Sequence, residues 1–213
     1  MSALASARLY AILDLGYVAP ANALRVAEDL IRGGADLIQL RGKQQSIPEL
    51  QDLAGELHRL MSRKGIPLIV NDHPEIAREV AVEGLHLGQD DLAISAARDL
   101  VRRNCWIGKS THSFAQAHAA MQEGVDYIGF GPLFATPTKP AYEPIGLDEI
   151  RAVHESVRLP IFCIGGIKLG NLPAVLAAGA KRVVIVSGLL QSSDVVEATR
   201  AAKAVLNSET LQN

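Results

Sequence analysis

Short apolar runs alternate with longer amphipathic ones eight times along this 213-residue chain, and that rhythm restricts the fold more than any single motif does. Leu9–Asp14 reads as a strand, and residues 23–32 carry apolar side chains at helical spacing before a stop at Gly33-Gly34. The pairing then recurs. Strand-like 36–40 precedes helical 49–63, 67–70 precedes 74–82, and 85–87 precedes 94–103. In the second half 106–107 precedes 114–122, Tyr127–Phe130 precedes 147–157, 161–164 precedes 172–178, and 183–186 precedes 195–206. Glycines at Gly34, Gly84, Gly124 and Gly179 stand just before the next strand, where each is expected to supply a left-handed helix cap.

Eight strands alternating with helices predict a parallel sheet, and eight is the number that closes a (β/α)8 barrel. The competing architecture is an open doubly wound sheet, which for a dinucleotide fold wants G-x-G-x-x-G after an early strand. Here Gly129-Phe130-Gly131 comes late, and Phe134 occupies the third glycine position. A hydrophobic share of 48% supports one sizeable core, so residues 1–213 read as a single domain with a short N-terminal lead and a flexible tail from 208 onward.

Twenty-one basic against 23 acidic side chains leave a formal charge of -2, which gives no general electrostatic reason to bind nucleic acid or an acidic membrane. Any anion site must therefore be local. Cys105 and Cys163 lie in apolar surroundings without C-x-x-C spacing, as expected of reduced core thiols in a cytoplasmic protein. No signal peptide is visible, and the longest apolar runs, 160–164 and 183–186, are strand-sized and far short of a membrane span.

In a barrel, chemistry gathers at the carboxyl ends of the strands. Strand two ends in Gln39, Arg41 and Lys43, which share a face because side chains two apart point the same way. Strand three ends in Asn71 and Asp72, and strand four runs out through Gly88-Gln89-Asp90-Asp91. Strand five offers Lys109, Ser110, Thr111 and His112. Strand six leads into the longest irregular connection, 131–139, which carries Thr136, Thr138 and Lys139. Strand seven finishes in Gly165-Gly166-Ile167 and strand eight in Val186-Ser187-Gly188, where barrels commonly hold a phosphate on backbone N–H groups.

Each group has a plainer reading. Asp72 and Asp91 singly suit helix N-terminal acids, whereas together beside cations they suit magnesium, which takes one or two carboxylates with water and phosphate oxygens. Gly165 and Gly166 fit either a turn or a phosphate cradle. His112 is either a solvated loop histidine or a general acid. His86 belongs to a strand interior, and His58, His118 and His154 to helix surfaces or packing.

These residues resemble the thiamine phosphate synthase family, a group of (β/α)8 enzymes. The resemblance rests on QLRGK at 39–43, VND at 70–72, GLHLGQDD at 84–91, IGKSTH at 107–112, ATPTK at 135–139, IGGI at 164–167 and VSG at 186–188. Gly42 departs from the charged residue expected there, and Gly188 stands where alanine is common. The resemblance implies a transferase that joins 4-amino-2-methyl-5-(diphosphooxymethyl)pyrimidine to a thiazole phosphate and releases pyrophosphate. Gln39, Arg41, Lys43, Asn71, Ser110 and Lys139 would hold the pyrimidine diphosphate, with Arg41, Lys43, Ser110 and Lys139 serving catalysis. Asp72 and Asp91 would hold Mg2+. Thr136, Thr138, Gly166, Val186 and Ser187 would bind the thiazole phosphate. No general base is implied, since the thiazole nitrogen attacks with its own lone pair, in keeping with the lack of a Ser-His-Asp or Cys-His arrangement. Two alternatives stay open: a thiazole tautomerase of the same superfamily, which would give His112 the leading role, and a non-catalytic barrel that binds a phosphorylated ligand.

Overall fold

Parallel strands covered on both faces must be apolar on both, and that requirement is visible in all six residues of the first strand, Leu9–Asp14, which are buried. The computed structural model describes residues 3–136 and 143–208. Its strands are β1 (Leu9–Asp14), β2 (Leu37–Arg41), β3 (Leu68–Asn71), β4 (Gly84–Leu87), β5 (Trp106–Thr111), β6 (Tyr127–Phe130), β7 (Ile161–Cys163) and β8 (Val183–Ile185). All pair in parallel and in sequence order, and β8 returns to β1 to close the barrel. The helices are α1 (Ala3–Ser6), α2 (Ala23–Gly33), α3 (Ile47–Ser62), α4 (Pro74–Val80), α5 (Ile94–Leu100), α6 (Phe114–Gln122), α7 (Ile150–Ser156), α8 (Leu172–Ala177), α9 (Ser187–Leu190) and α10 (Val195–Ser208).

Alternation along the strands divides the apolar residues into two layers. Leu9, Ala11, Leu13, Ile38, Leu40 and Val70 face outward and pack beneath the helices. Tyr10, Ile12, Leu37, Ile69, Tyr127, Phe162 and Val184 form the inner cluster, and Leu4 and Ala7 join it from the N-terminal end. The N-terminal lead is thus a helical turn, α1, tied to the barrel interior. Tyr10, Tyr127 and Phe162 meet edge to face at 5.3–6.1 Å, a favoured aromatic geometry. Gly108 makes room for them, because a Cβ there would lie 2.0 Å from the Tyr127 ring.

Several expected boundaries move. Strand five runs through Thr111, so Gly108 to Ser110 belong to the strand. Helix α5 stops at Leu100, where Val101 turns extended, and α7 begins only at Ile150. Left-handed conformations occur at Gly34, Gly124 and Gly179, at φ 98°, 80° and 110°, as expected. Gly84 instead lies within β4, and the left-handed residue ending α4 is Ala81 at φ 65°. Both thiols are free and buried, and burial pushes Cys105 up to about 11 and Cys163 up to about 12, which leaves them protonated and inert. Among the described residues no helix is long and apolar enough to cross a membrane.

Candidate active site

The parallel register sets the carboxyl-end rim. Asp14 lies opposite Arg41 across the β1–β2 pair, so the guanidinium of Arg41 meets the buried Asp14 carboxylate at 2.5 Å. Asp14 also accepts from the Gly16 N–H at 2.9 Å, which fixes its orientation. One turn of the pleat lower, Gln39 is 2% exposed and donates to the Tyr10 hydroxyl at 2.6 Å. Lys43, just beyond the strand, is paired with Asp72 of the next strand end. The expected grouping of Gln39, Arg41 and Lys43 on one rim therefore holds, with Gln39 deepest and Lys43 outermost.

A cavity opens inside this rim. Gln39, Arg41, Asn71 and Ser110 line it together with Thr136, Gly166, Val186 and Ser187. Eight of the residues singled out in the sequence thus meet in one space. Lys43, Asp72 and Asp91 stand outside its lining, and Thr138 and Lys139 lie outside the described residues.

Asp72 has φ 66°, and its N–H is spent on the His86 carbonyl of β4 at 2.9 Å. Burial raises its pKa; the Lys43 ammonium opposes that shift, and the neighbouring Asp91 carboxylate adds to it. Asp91 accepts from the Gly88 N–H at 2.5 Å, closing a turn rather than capping α5. The residues at the N-caps of α4 and α5 are His73 and Ala93, so neither carboxylate occupies a cap position. Two carboxylates in mutual contact beside a cation are a donor set that fits one hard divalent ion sharing phosphate oxygens and water. No group of three or more metal-ligating side chains occurs among the described residues.

On β5 the side chains part company. Ser110 faces the cavity, whereas Lys109 turns outward to Glu123 at 2.6 Å and takes no part in the rim. His112 lies near the Gly131 carbonyl, Nδ1 to oxygen 2.5 Å, and its N–H donates to Gln116 at 2.7 Å; it does not line the cavity. His86 does line it, from the barrel interior, with Nδ1 3.1 Å from the Tyr127 hydroxyl and Nε2 3.0 Å from Ser110.

Gly166 has φ 65°, and a Cβ on it would fall 2.7 Å from Phe134 Cβ and 2.8 Å from the Ala135 carbonyl. The glycine is therefore required by the strand-six loop that rests on it. Asn171 braces the same turn, donating to the Gly166 carbonyl at 3.0 Å and accepting from the Lys168 N–H at 2.8 Å. Val186 and Ser187 lead from β8 into α9, as expected of a strand end that runs into a helix start.

Sequence reading did not single out Asp14, Ile12, Ile164 and Val184, although the last three line the cavity. Inward alternation from Tyr10 would have found Ile12, and alternation from Phe162 would have found Ile164. Asp14 needed the β1–β2 register, which no local pattern carries.

A profile of the family described as thiamine monophosphate synthase matches residues 9–189. The thiamine-phosphate synthase of Chloroflexus aurantiacus is 41% identical, over 94% of this chain and 93% of its own length. That of Halalkalibacterium halodurans is also 41% identical, over 88% of this chain and 90% of its own. Among solved structures, a thiamine phosphate pyrophosphorylase from Pyrococcus furiosus superposes with a TM-score of 0.88 at 28% identity, covering 97% of this chain and 98% of that one.

Proposed function

The chain belongs to the thiamine monophosphate synthase family, and from that premise we propose that it joins 4-amino-2-methyl-5-(diphosphooxymethyl)pyrimidine to thiazole phosphate and releases pyrophosphate. The observation that carries this reading is the single cavity lined by both sets of residues, Gln39, Arg41, Asn71 and Ser110 with Thr136, Gly166, Val186 and Ser187. Two substrates that must react with each other need adjoining subsites, because proximity supplies much of the rate.

In this reading the pyrimidine's amino group supports positive charge as the C–O bond to the diphosphate breaks, and the thiazole nitrogen then donates its lone pair to the exposed carbon. The protein's task is to stabilise the departing pyrophosphate. Arg41, oriented by Asp14, and Lys43, beside Asp72, present fixed positive charge to it. Lys139 adds a third cation from the strand-six loop, and Ser110 donates a hydrogen bond to the pyrimidine from the cavity wall. Asp72 and Asp91 are the residues that would hold Mg2+. When bound, the ion neutralises charge on the leaving diphosphate. Gly166, Val186 and Ser187 offer backbone N–H groups to the thiazole phosphate, with Thr136 beside them and Thr138 a further candidate from the sequence. The tautomerase alternative is disfavoured by the position of His112 outside the cavity lining and by a basic rim that proton transfer on a monophosphate does not require.

The test is pyrophosphate release, measured with each substrate alone, with both, and with both plus a chelator. Rapid release is expected only when both substrates and metal are present. Metal-independent tautomerisation of the thiazole without pyrophosphate would overturn the reading in favour of the tautomerase, and phosphate binding without either reaction would leave a silent barrel.

A further inference from the structure

Beneath the cavity floor, five side chains from five strands touch in series across the barrel. Gln39 Nε2 donates to Tyr10 Oη at 2.6 Å, Tyr10 Oη lies 3.3 Å from Tyr127 Oη, Tyr127 Oη lies 3.1 Å from His86 Nδ1, and His86 Nε2 lies 3.0 Å from Ser110 Oγ. Gln39 and Ser110 at the two ends line the cavity, as does His86, while the two tyrosines are fully enclosed at 1% and 0% exposure.

Counting protons gives the series a direction. The amide nitrogen of Gln39 can only donate, so Tyr10 accepts from it and has one proton left, which goes to Tyr127. Burial raises both phenol pKa values well beyond the ordinary tyrosine range, so each phenol keeps its proton. Tyr127, having accepted, spends its own proton on His86 Nδ1. A neutral imidazole that accepts at Nδ1 carries its proton on Nε2, which then donates to Ser110. Ser110 is left with a hydroxyl proton for the cavity, and the Gln39 amide is left with its carbonyl oxygen. Each of the four links then has one donor and one acceptor, so a single amide orientation is consistent with the whole series.

We propose that this one-way chain makes Tyr10, Tyr127 and His86 positioning residues for specificity, holding Gln39 as an acceptor and Ser110 as a donor so that the cavity selects an aminopyrimidine over its oxo counterpart. An exocyclic amino group meets the Gln39 oxygen as a donor, and a ring nitrogen lone pair accepts from Ser110. A 4-oxo ring puts a carbonyl oxygen against the Gln39 oxygen, two acceptors with no proton between them. The inference deepens the synthase reading and rests on it for the identity of the ring; the direction of the chain does not.

Two measurements test it. In protein labelled with 15N-histidine, the His86 signal, assigned by its loss in His86→Asn, is expected to show an unprotonated Nδ1 and a protonated Nε2 at neutral pH without substrate. A proton on Nδ1 overturns the chain whatever the enzyme's activity. The second measurement compares inhibition of pyrophosphate release by unreactive 4-amino and 4-oxo pyrimidine analogues. Tyr127→Phe keeps the ring but frees the Tyr10 proton to turn toward Gln39, so the amide can invert. Preference for the amino analogue is expected to fall about tenfold, the worth of one hydrogen bond, and Tyr10→Phe is expected to do the same. Lower thermal stability with unchanged preference in both variants would show that the tyrosines only fill space and would overturn the proposal. Should Tyr127→Phe not fold, Tyr10→Phe and the wild-type histidine signal decide the matter. Absence of pyrophosphate release in the wild type, with the His86 tautomer as expected, would instead remove the synthase reading and leave the chain standing.

Discussion

At the scale of single residues, Asp72 concentrates the conflict in this site. Its carboxylate is partly buried against Asp91, which disfavours its charge, and Lys43 opposes that cost. If the two carboxylates hold Mg2+, Asp72→Asn should leave the fold intact and lower kcat by about a hundredfold or more, because the charge stabilisation lost is worth several kcal/mol. Steady-state kinetics over a magnesium titration check this, and wild-type turnover with unchanged metal dependence would overturn it. The raised pKa has its own consequence. A group that binds its proton more tightly when folded contributes stability that is fully present below the unfolded value, 3.8, and is lost as pH rises through the raised folded value. Metal-free wild-type protein should therefore lose this contribution over that window, whereas Asp72→Asn should show a flatter curve. Thermal unfolding in chelator from about pH 3 upward reads the difference, since that range starts below the ordinary carboxylate value. Magnesium affinity should fall in the same window as pH is lowered, because the ion must displace the proton. The pairing of Asp72 with Asp91 was legible from two acids on neighbouring strand ends; the positive φ of Asp72 and its contact with Lys43 were not, since the first goes with the Asp72 N–H bonding to His86 of β4 and the second with β2 and β3 emerging side by side.

At the scale of elements, the strands were legible where burial on both faces gives an unbroken apolar run, as in β1 and β8. The stretch Gly108, Lys109, Ser110 and Thr111 reads as polar, yet it is strand, because each residue answers a different neighbour. Gly108 yields to Tyr127, Lys109 reaches Glu123, Ser110 meets His86, and Thr111 donates to the Gly129 carbonyl at 2.9 Å. Such demands come from other strands and leave no local period. The strand-six loop was recognised by its length, but its dependence on Gly166 was not. Gly166→Ala should cost about 1–3 kcal/mol through the clash with Phe134 and Ala135. It should also raise KM for thiazole phosphate more than for the pyrimidine diphosphate, since the displaced loop carries Thr136. An unchanged unfolding temperature would show that the loop gives way freely. The same loop carries Lys139, and Lys139→Ala should lower kcat by about a hundredfold if its charge acts on the departing pyrophosphate. A raised KM with kcat unchanged would make it an ordinary ground-state contact.

At the scale of the whole molecule, the question is what closes the ring. Eight repeats predict a barrel without saying which contacts join its first strand to its last helix. Besides the β8–β1 pairing, Asp36, just before β2, ties these elements together: its carboxylate accepts from the N–H groups of Arg8 and Leu9 at 2.9 Å each and pairs with Lys203 of α10. Beside it α10 lies close on α2, where a Cβ on Gly33 would fall 2.4 Å from Thr199, so only glycine permits that approach. One carboxylate thus holds the start of β1, the entry to β2 and the final long helix together, far from the cavity mouth. Removing it leaves two backbone N–H groups at the first strand without their acceptor and a lysine without its partner. Asp36→Ala should therefore destabilise the protein by about 2–4 kcal/mol, the range for losing charge-assisted hydrogen bonds at partly buried donors. Denaturant unfolding should show a lower midpoint with an unchanged slope if the barrel still unfolds as one unit. Below the unfolding transition kcat should stay within about twofold of wild type, because additivity holds for sites without shared partners. A loss of turnover at temperatures where the variant remains folded would mean that ring closure at the amino-terminal end is coupled to the geometry of the rim.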